Sequence, residues 1–283
     1  MYTLKIYARV RRAVLVEGHV SAFAYFGGVP RQILYDNTKL AVAKILGGGK
    51  RKKTRAFCEL QSHCLFKEKF GRPGKGNDKG KVEGLVGYAR RNFLVPIPRV
   101  GSREELNTHL RGQCGEQRER RLRGQEETIG ERFGGDRAVL LPLPVPSYEA
   151  CEKRTARVSS LSLVRYRRND YSVPTEHGHR EVLVKGYVQE VVIAHRSEMI
   201  ARQTRSYGRE ELVLDPRHYL ALLEQKAGAL DQAAPMVGWE LPPCFAELRR
   251  LLEARLNKGG RREYVQVLRL LEAFRLEEVA PAI

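Results

Sequence analysis

The sequence predicts an α/β region that is followed by a small antiparallel β-barrel and a helical C-terminal region. The first observation is a helix pattern at 17–28 that leads directly into a strand pattern at 30–36, an order typical of α/β folds. The second is a set of short β-rich runs within 155–205, separated by turns at regular intervals, which is typical of a small barrel. The third is the series of helical patterns within 206–283.

The first helix and strand place a carboxylate at a strand end. In the helix pattern, His19 and Phe23 recur at helical spacing, and Gly27–Gly28 is typical of a helix C-terminus. The strand VPRQILYDN carries apolar residues on both faces, which predicts a buried position in a sheet covered by helices. Asp36 lies at the carboxyl end of this strand, where ligands of α/β proteins bind.

The elements that follow are predicted from glycine, proline and apolar spacing. They are a basic loop at 47–53, a helix at 54–62 with Thr54 as its N-cap, a short strand within 63–70, a glycine-rich loop at 71–80, a helix at 80–92, a charged helical stretch at 102–133 and a proline-rich linker at 141–150. The regular elements of this first region therefore alternate with two basic, glycine-rich loops.

The helix at 80–92 has two different sides. Glu83 and Arg90 share one face. The opposite side is expected to pack on the sheet through its apolar residues, which are Val82, Leu85, Val86 and Ala89. A carboxylate suits a magnesium ion and an arginine suits a phosphate. The same spacing is also typical of an ordinary surface helix, so the spacing leaves both interpretations open.

The charge of the chain favours a polyanionic partner. The 51 Lys and Arg residues exceed the 33 Asp and Glu residues, which gives a net charge of +18 and a pI of about 9.9. Between Lys44 and Arg103, 16 basic residues face four acidic ones, a concentration typical of phosphate binding. No apolar run is long enough to span a membrane or to form a signal peptide. The five cysteines form no CxxC pair, so neither disulfides nor zinc is expected. The expected partner is nucleic acid in the cytoplasm, and not a membrane.

Three stretches resemble a known family. VPRQILYDNTKLAV, FGRPGKGNDKGKVEGLVGYARRNFL and SLVRYRRNDYSVP are similar to transposases of the IstA type, from the insertion-sequence-twenty-one family, which belong to the retroviral integrase-like DDE superfamily. The resemblance implies a partial RNase H-like catalytic core and metal-dependent cleavage and transfer of DNA strands, with Mg²⁺ or Mn²⁺ as cofactor. It implies transposon ends and target DNA as substrates, the family's ATPase helper protein as a possible partner, and a homo-oligomer.

The same resemblance assigns catalytic, metal-binding and DNA-binding residues. Asp36, followed by Asn37, matches the second Asp of the family's Asp-Asp-Glu triad, and Glu83 matches its Glu. Both are expected to bind the metal. Residues expected to contact DNA come from the two basic loops and the helix that follows; they are Lys50, Arg51, Lys52, Lys53, Arg72, Lys75, Lys79, Lys81, Arg90 and Arg91.

Together these features divide the chain into six segments. They are an unmatched N-terminal segment at 1–16, a partial RNase H-like integrase core at 17–100, a charged helical segment at 101–140, a proline-rich linker at 141–154, a small β-barrel at 155–205 and C-terminal helices at 206–283. In the last segment, core packing is expected for Phe245, Leu248, Leu252 and Leu256.

The first Asp of the family's triad has no counterpart in this sequence. No Asp precedes Asp36, and the only earlier acid, Glu17, is expected at a helix start. The simplest interpretation is an N-terminally truncated copy with little strand-transfer activity alone, so enzymatic activity stays uncertain at this point.

Two other functions remain open from the sequence. The chain could be a non-catalytic DNA-binding protein that uses the basic region and the barrel, and acts on an intact transposase or its DNA. Alternatively, it could bind RNA by stacking bases on Tyr166, Tyr171 and Tyr187. His177 and His179 flank a glycine and are expected to be solvated turn residues.

Overall fold

The computed structural model describes most of the chain as two compact units. It covers residues 1–7, 12–35, 38–46, 50–71 and 80–283. The units are Met1–Ala150 and Cys151–Ile283. Asp36, Asn37 and residues 72–79 of the glycine-rich loop lie outside the described residues.

The first unit contains five helices and four strands among its described residues. They are α1 (Arg12–Phe26), β1 (Gln32–Tyr35), β2 (Val42–Ile45), β3 (Arg51–Lys53), α2 (Arg55–Cys64), β4 (Lys67–Phe70), α3 (Gly80–Phe93), α4 (Arg103–Glu116) and α5 (Ile129–Ala138). β1 pairs with β4 in parallel, and β2 pairs with β3 in antiparallel orientation. The expected basic loop at 47–53 therefore contains a strand. The expected helical stretch at 102–133 is two α-helices, which a short 3-10 helix (Gln117–Glu119) and the irregular residues 120–128 connect.

Helix α1 ends where the sequence predicted, but it starts earlier than predicted. Gly27 has a φ of 74°, and its N–H donates to the Phe23 carbonyl at 2.9 Å, as a helix C-terminus requires. At the other end, α1 already begins at Arg12, so Glu17 lies inside the helix and not at its start. The Glu17 carboxylate accepts hydrogen bonds from Lys5 and Tyr7. These bonds attach the N-terminal residues to α1.

The α1–α2 core lies beneath one face of β1. Phe57 and Leu60 of α2 are fully buried, and Phe23 of α1 is 4% exposed. Tyr35 of β1 points into this core, whereas Leu34 is 54% exposed. The prediction that β1 is buried on both faces is therefore wrong for Leu34. Alternation along a strand puts neighbouring side chains on opposite faces, and this core covers only the face of Tyr35.

Helix α3 packs on α4 and on the N-terminal residues. Ala89 and Phe93 are buried together with Leu110 of α4, and residues 2–6 pack against them. Val86 is 43% exposed. The prediction that the apolar side of this helix packs on the sheet is therefore wrong: its buried stripe runs through Ala89 and Phe93 and faces a helix.

The second unit begins with seven strands in two sheets. They are β5 (Glu152–Arg157), β6 (Leu163–Tyr166), β7 (Asn169–Ser172), β8 (Glu181–Gly186), β9 (Glu190–His195), β10 (Glu198–Thr204) and β11 (Leu212–Val213). One sheet has the order β10-β9-β8-β5, and the other has the order β11-β7-β6. Both line one core, which includes Val164, Tyr171, Val184 and Ile193. These strands form two sheets and no closed barrel, so the small antiparallel β-barrel predicted for 155–205 is not confirmed.

The last part of the second unit is helical, as predicted. It contains α6 (Leu220–Gln225), α7 (Pro243–Leu256), α8 (Gly260–Arg269) and α9 (Leu276–Val279). Phe245 is 1% exposed and packs with Leu248 and Leu252, whereas Leu256 is 46% exposed and lies outside this core. Among the residues that the model describes, no helix has both the length and the apolar character needed to cross a bilayer.

His177 of the second unit is buried, contrary to the expectation, and His218 is half-buried. The His177 side chain is 8% exposed, and burial lowers its pKa. His218 forms a hydrogen bond of 2.9 Å between its Nδ1 and Ser172 Oγ, and burial lowers its pKa as well. His179 is exposed, as expected. Burial favours the neutral imidazole because a charged ring would lose its hydration.

We expect these histidines to make the second unit less stable in mild acid. Unfolded histidine takes up a proton near pH 6.5, while His177 and His218 in the folded unit do so at lower pH. Stability is therefore complete above about pH 6.5 and falls below it, with a slope of at most about 1.4 kcal/mol per pH unit for each histidine. Urea unfolding between pH 7.5 and 5, followed by the fluorescence of Trp239, measures this slope. The His177→Gln variant should flatten it, and His179→Asn should leave it unchanged.

Candidate nucleic-acid interface

The parallel pair β1–β4 ends at a common edge, here called the strand-end edge and formed by Tyr35, Phe70 and Gly71. Tyr35 is opposite Phe70 in the register, and the Gly71 N–H donates to the Tyr35 carbonyl at 2.9 Å. The next residue after Tyr35 in the sequence is Asp36, and the chain beyond Gly71 enters the glycine-rich loop that leads to α3. The described parts of β1 and β4 therefore end side by side, and the predicted carboxylates follow these two strands in the sequence.

Tyr35 is fixed by both a hydrogen bond and aromatic packing. His19 Nδ1 donates a hydrogen bond to the Leu15 carbonyl oxygen at 2.7 Å. Its Nε2 is therefore free of a proton and accepts a hydrogen bond from the Tyr35 hydroxyl, with 2.8 Å between the oxygen and the nitrogen. Burial lowers the pKa of His19, which favours this neutral tautomer, and burial raises the pKa of Tyr35. The ring centroids of Tyr35 and Phe57 are 5.0 Å apart with the planes nearly perpendicular. The sequence analysis missed this pair because His19 and Tyr35 are 16 residues apart.

The four basic residues at 50–53 have different environments. Lys50 and Lys52 are exposed. The Arg51 guanidinium donates from Nη2 to the Gly71 carbonyl at 3.0 Å and lies 5.0 Å from the centre of the Phe70 ring. Arg51 therefore belongs to the strand-end edge.

Lys53 is engaged inside the first unit. Its Nζ lies 2.8 Å from Glu68 Oε1 and 2.6 Å from Gln61 Oε1. Partial burial opposes ionisation of Glu68, but the hydrogen bonds from Lys53 and Gln61 prevail and lower the pKa of this carboxyl. The charge of Lys53 is thus balanced by Glu68.

The remaining predicted site residues lie on or before α3. Arg90 and Arg91 are exposed on α3. The backbone of Lys81 and Glu83 belongs to α3, while their side chains are not among those described. The predicted residues Asp36, Arg72, Lys75 and Lys79 lie outside the described residues.

Most of the excess positive charge lies in the first unit. Residues 1–150 contain 29 Lys and Arg and 15 Asp and Glu, whereas residues 151–283 contain 22 and 18. Many arginines of the second unit are also ion-paired. For example, Arg165 pairs with Asp170 and Glu210, and Arg269 pairs with Glu224. Since unpaired positive charge attracts nucleic-acid phosphates, the first unit is the stronger candidate for the interface.

The tyrosines of the two sheets do not support base stacking. Tyr166 is 2% exposed and Tyr171 is fully buried. Their rings, with centroids 6.4 Å apart, pack inside the core of the second unit. The RNA-binding hypothesis is therefore wrong for these two residues, because a base can stack only on an accessible ring face.

Comparisons with known proteins identify relatives along nearly the whole chain. Residues 143–215 match the family model described as Mu transposase, C-terminal domain, a range that includes all seven strands of the two sheets. The chain is 33% identical over 279 residues to the transposase for insertion sequences IS1326/IS1353 of Pseudomonas aeruginosa, a match that covers 95% of this chain and 54% of that protein. It is 34% identical over 277 residues to a transposase of Aminobacter aminovorans, with 95% and 53% covered.

A shorter match links the chain to a further relative. Over 159 residues it is 35% identical to the transposase for insertion sequence element IS21 of Pseudomonas aeruginosa, covering 56% of this chain and 40% of that protein. The chain thus spans about half the length, or less, of these relatives. The long matches at 33% and 34% identity cover both units, as a shared family requires. The chain belongs to the family of insertion-sequence transposases that includes the IS1326/IS1353 and IS21 proteins.

Proposed function

We propose that this chain acts in DNA transposition through metal-dependent cleavage and joining of DNA strands, with Asp36 and Glu83 as metal-binding carboxylates of an RNase H-like core. The observation that carries this proposal is the strand-end edge. A parallel strand pair leads into Asp36 on one strand and into the loop before α3 on the other. The transposase names of the relatives support the same function.

The residue chemistry fits a hard divalent cation. Asp36 and Glu83 both offer carboxylate oxygens, which suit Mg²⁺ or Mn²⁺. When bound, such an ion supplies Lewis acidity for a water or a DNA 3′-hydroxyl and for the leaving oxygen. The exposed side chains of Lys50, Lys52 and Arg90 then hold the DNA backbone through its phosphates.

Two carboxylates are fewer than the three of the family's triad. In this sequence no Asp precedes Asp36. We propose that the residues of this chain alone support little strand joining, because one of the three carboxylates that would hold the metal is lacking. A second copy of the chain and the family's ATPase helper protein remain proposed partners.

Manganese binding tests the metal site without relying on activity. Mn²⁺ titrated into the protein with a DNA duplex, and followed by electron paramagnetic resonance, should bind to the wild type. The Asp36→Asn and Glu83→Gln variants should weaken this binding by more than about tenfold. The Glu59→Gln variant, which alters the exposed partner of Arg55, should bind as the wild type does. Equal Mn²⁺ affinity in all four proteins contradicts the proposed site.

Strand joining tests the chemistry. Pre-cut DNA with a free 3′-hydroxyl, a target plasmid and Mg²⁺ or Mn²⁺ should give little joined product with this chain alone. Abundant product that is lost in Glu83→Gln would support the site and refute the expected low activity. Abundant product that persists in Glu83→Gln would refute the site.

A second function is favoured by the distribution of charge. The 29 basic and 15 acidic residues of the first unit can bind DNA by electrostatic attraction without any metal. Non-catalytic DNA binding predicts that Mg²⁺ does not raise the DNA affinity above its value in EDTA, because Mg²⁺ only competes for the phosphates, and that no Mn²⁺ binds at Asp36. Such a protein would act on transposon DNA or on an intact transposase.

A further inference from the structure

We infer that the second unit binds an extended acidic peptide in a groove beside strand β10, with the main chain of the peptide pairing with this strand. The inference goes beyond the proposed function, because it uses neither the proposed metal site nor the basic loops of the first unit. It rests on a free strand edge, on two adjoining cavities and on the exposure of three arginines. All of these features lie within the second unit.

Strand β10 is an edge strand that borders a cavity. Of the strands that the structure describes, only β9 pairs with β10, and this pairing is regular from Ala201 to Thr204. An edge strand presents unpaired N–H and C=O groups, which an extended peptide can pair. Residues 199–202 of β10 line a cavity of about 670 Å³ together with Pro174 and Ala221. This cavity, here called the strand cavity, gives a peptide access to the β10 edge.

Buried hydrogen bonds fix the floor of the strand cavity. Ser172 Oγ accepts from Gln203 Nε2 of β10 at 2.9 Å and from the Asp215 N–H at 2.8 Å, and it donates to His218 Nδ1 at 2.9 Å. Asp215 and His218 line the same cavity and belong to the segment around the 3-10 helix Pro216–Tyr219. These bonds connect β10 with the facing wall. The cavity therefore exists before binding, which reduces the ordering cost of association.

A second cavity continues the groove and has aromatic walls. It has a volume of about 540 Å³, is lined by Trp239 and Phe274, and is here called the aromatic cavity. Asp215, Arg217 and Glu272 line both cavities, so the two cavities adjoin. Phe274 is 55% exposed and offers apolar surface that a peptide side chain can cover. The groove therefore combines main-chain pairing at one end with an apolar anchor at the other.

The arginines of the strand cavity are more exposed than the carboxylates that pair with them. The exposed side-chain fractions are 57% for Arg202, 51% for Arg217 and 40% for Arg269, against 33% for Glu190, 13% for Asp215 and 34% for Glu272. Glu176 is the exception among the acidic lining residues, with 76%. The guanidinium groups therefore reach the cavity ahead of their partners, which favours a peptide that carries carboxylates.

A peptide fits this groove better than DNA does. The N–H and C=O groups along a strand edge alternate, so their partner must supply acceptors and donors in the same alternation, as a peptide main chain does. A DNA backbone offers only oxygen acceptors. Asp215 and Glu272 in the walls, and the exposed Glu176, would also repel phosphates.

A defined peptide tests the groove in the full chain. The probe has about eight residues, a length that covers the seven residues of β10; Glu and Val alternate in it and Phe ends it. Fluorescence anisotropy of the fluorescein-labelled probe should show saturable binding. A probe with Lys in place of Glu, and one with N-methylated amides, should each bind about tenfold more weakly or worse. The N-methylated probe keeps the charge, so it separates main-chain pairing from attraction to a basic protein.

Arg202→Gln and Arg154→Gln compare the two edge strands of one sheet. Both arginines are exposed, at 57% and 54%, and each pairs with a glutamate. Arg202 lies on β10 and lines the strand cavity, whereas Arg154 lies on β5 at the opposite edge. Arg202→Gln should weaken probe binding by about tenfold, the loss for one charge-assisted hydrogen bond, and Arg154→Gln should leave it unchanged. The reverse result would place the probe at β5 and overturn the assignment to β10.

Phe274→Ala tests the aromatic cavity, and Leu251→Ala is its control. Leu251 is 68% exposed and lines neither cavity. Phe274→Ala should weaken probe binding by about fivefold, and Leu251→Ala should leave it unchanged. The unlabelled probe should change the fluorescence of Trp239, the chain's only tryptophan, and a probe with Ala in place of Phe should change it less. Urea unfolding of each variant shows that it is folded during the titration.

Each outcome supports the groove or overturns it. Weaker binding in Arg202→Gln and Phe274→Ala, with unchanged binding in both controls, supports it. Equal affinity for the acidic, lysine and N-methylated probes overturns it, and so does the absence of saturable binding. If the probe does not bind and Arg202→Gln reduces the slope of log affinity for duplex DNA against log salt by about 0.9, the value for one lost phosphate contact, the arginine contacts DNA and not a peptide.

Discussion

Replacement of Gly260 by alanine is expected to lower the free energy of unfolding of the second unit by about 3 kcal/mol or more. A Cβ atom at Gly260 would lie 2.2 Å from the Leu252 carbonyl oxygen and 2.7 Å from the Glu253 Cα. Both atoms belong to the backbone of α7, so no side-chain rotation can relieve the overlap. The start of α8 would have to move away from α7 in the core that contains Phe245 and Val265. Urea unfolding followed by the fluorescence of Trp239, the chain's only tryptophan, measures the loss.

The neighbouring glycine provides a matched control. A Cβ atom at Gly259 would meet only the Leu256 Cβ at 3.9 Å, an ordinary contact, and the φ of Gly259 is −71°. The Gly259→Ala variant should therefore be neutral or more stable by up to about 1 kcal/mol, because alanine restricts the unfolded chain. If both variants lose the same free energy of unfolding, the glycines are needed for a reason other than the close approach of α7 and α8. If Gly260→Ala is as stable as the wild type, the close approach itself is refuted.

Local signals explain the parts of the fold that the sequence predicted well. The helix expected at 80–92 is observed as Gly80–Phe93. It could be predicted because its signals, the apolar spacing and the glycines before it, lie within a few residues of one another in the sequence. The break in the helical stretch at 102–133 also had a local signal. Thr128 and Glu131 form a capping box at the start of α5, and the T-x-x-E spacing that encodes it is readable in the sequence.

Partners that are distant in sequence explain the errors. Thr54 lies at the N-cap position of α2, as predicted, but its hydroxyl donates to the Leu40 carbonyl at 2.9 Å and caps no helical N–H. Leu34 is exposed because only one face of β1 is covered by the α1–α2 core. The sheets of the second unit pack on each other without closing. In each case the deciding contact joins residues that no local pattern connects.

The site shows the same division. The strand pattern at 30–36 placed Asp36 directly after β1, whereas the parallel pairing of β1 with β4 was not predicted. The roles of the neighbouring basic residues do not follow from charge counting. Lys53 is balanced by Glu68, and Arg51 bonds Gly71. Sequence alone treats these lysines and arginines as equal, because their protein partners are set by tertiary contacts.

Replacement of Phe57 by alanine is expected to lower the free energy of unfolding of the first unit more than any other substitution proposed for that unit. Phe57 is fully buried, and its ring lies 5.0 Å from Tyr35, 6.1 Å from Phe66 and 6.3 Å from Phe70. Truncation of a buried phenylalanine costs about 3–5 kcal/mol, which combines lost burial with the cavity that remains. Since the cavity would open beneath Tyr35, which directly precedes Asp36, the Mn²⁺ affinity of the proposed metal site should fall as well. Unfolding followed by far-ultraviolet circular dichroism and Mn²⁺ titration measure the two effects.

A second apolar residue beside α2 provides the control for Phe57. Leu65 directly follows α2 and is 75% exposed, so Leu65→Ala should change stability by less than about 0.5 kcal/mol and leave Mn²⁺ affinity unchanged. Phe57→Leu keeps most of the buried volume and should fall between the wild type and Phe57→Ala in both measurements. If Phe57→Ala loses stability but keeps its Mn²⁺ affinity at temperatures where it is folded, the core beneath Tyr35 does not control the proposed metal site. A parallel loss in both measurements, graded from leucine to alanine, would show that the same aromatic core that stabilises the first unit also orders the edge at which Asp36 begins.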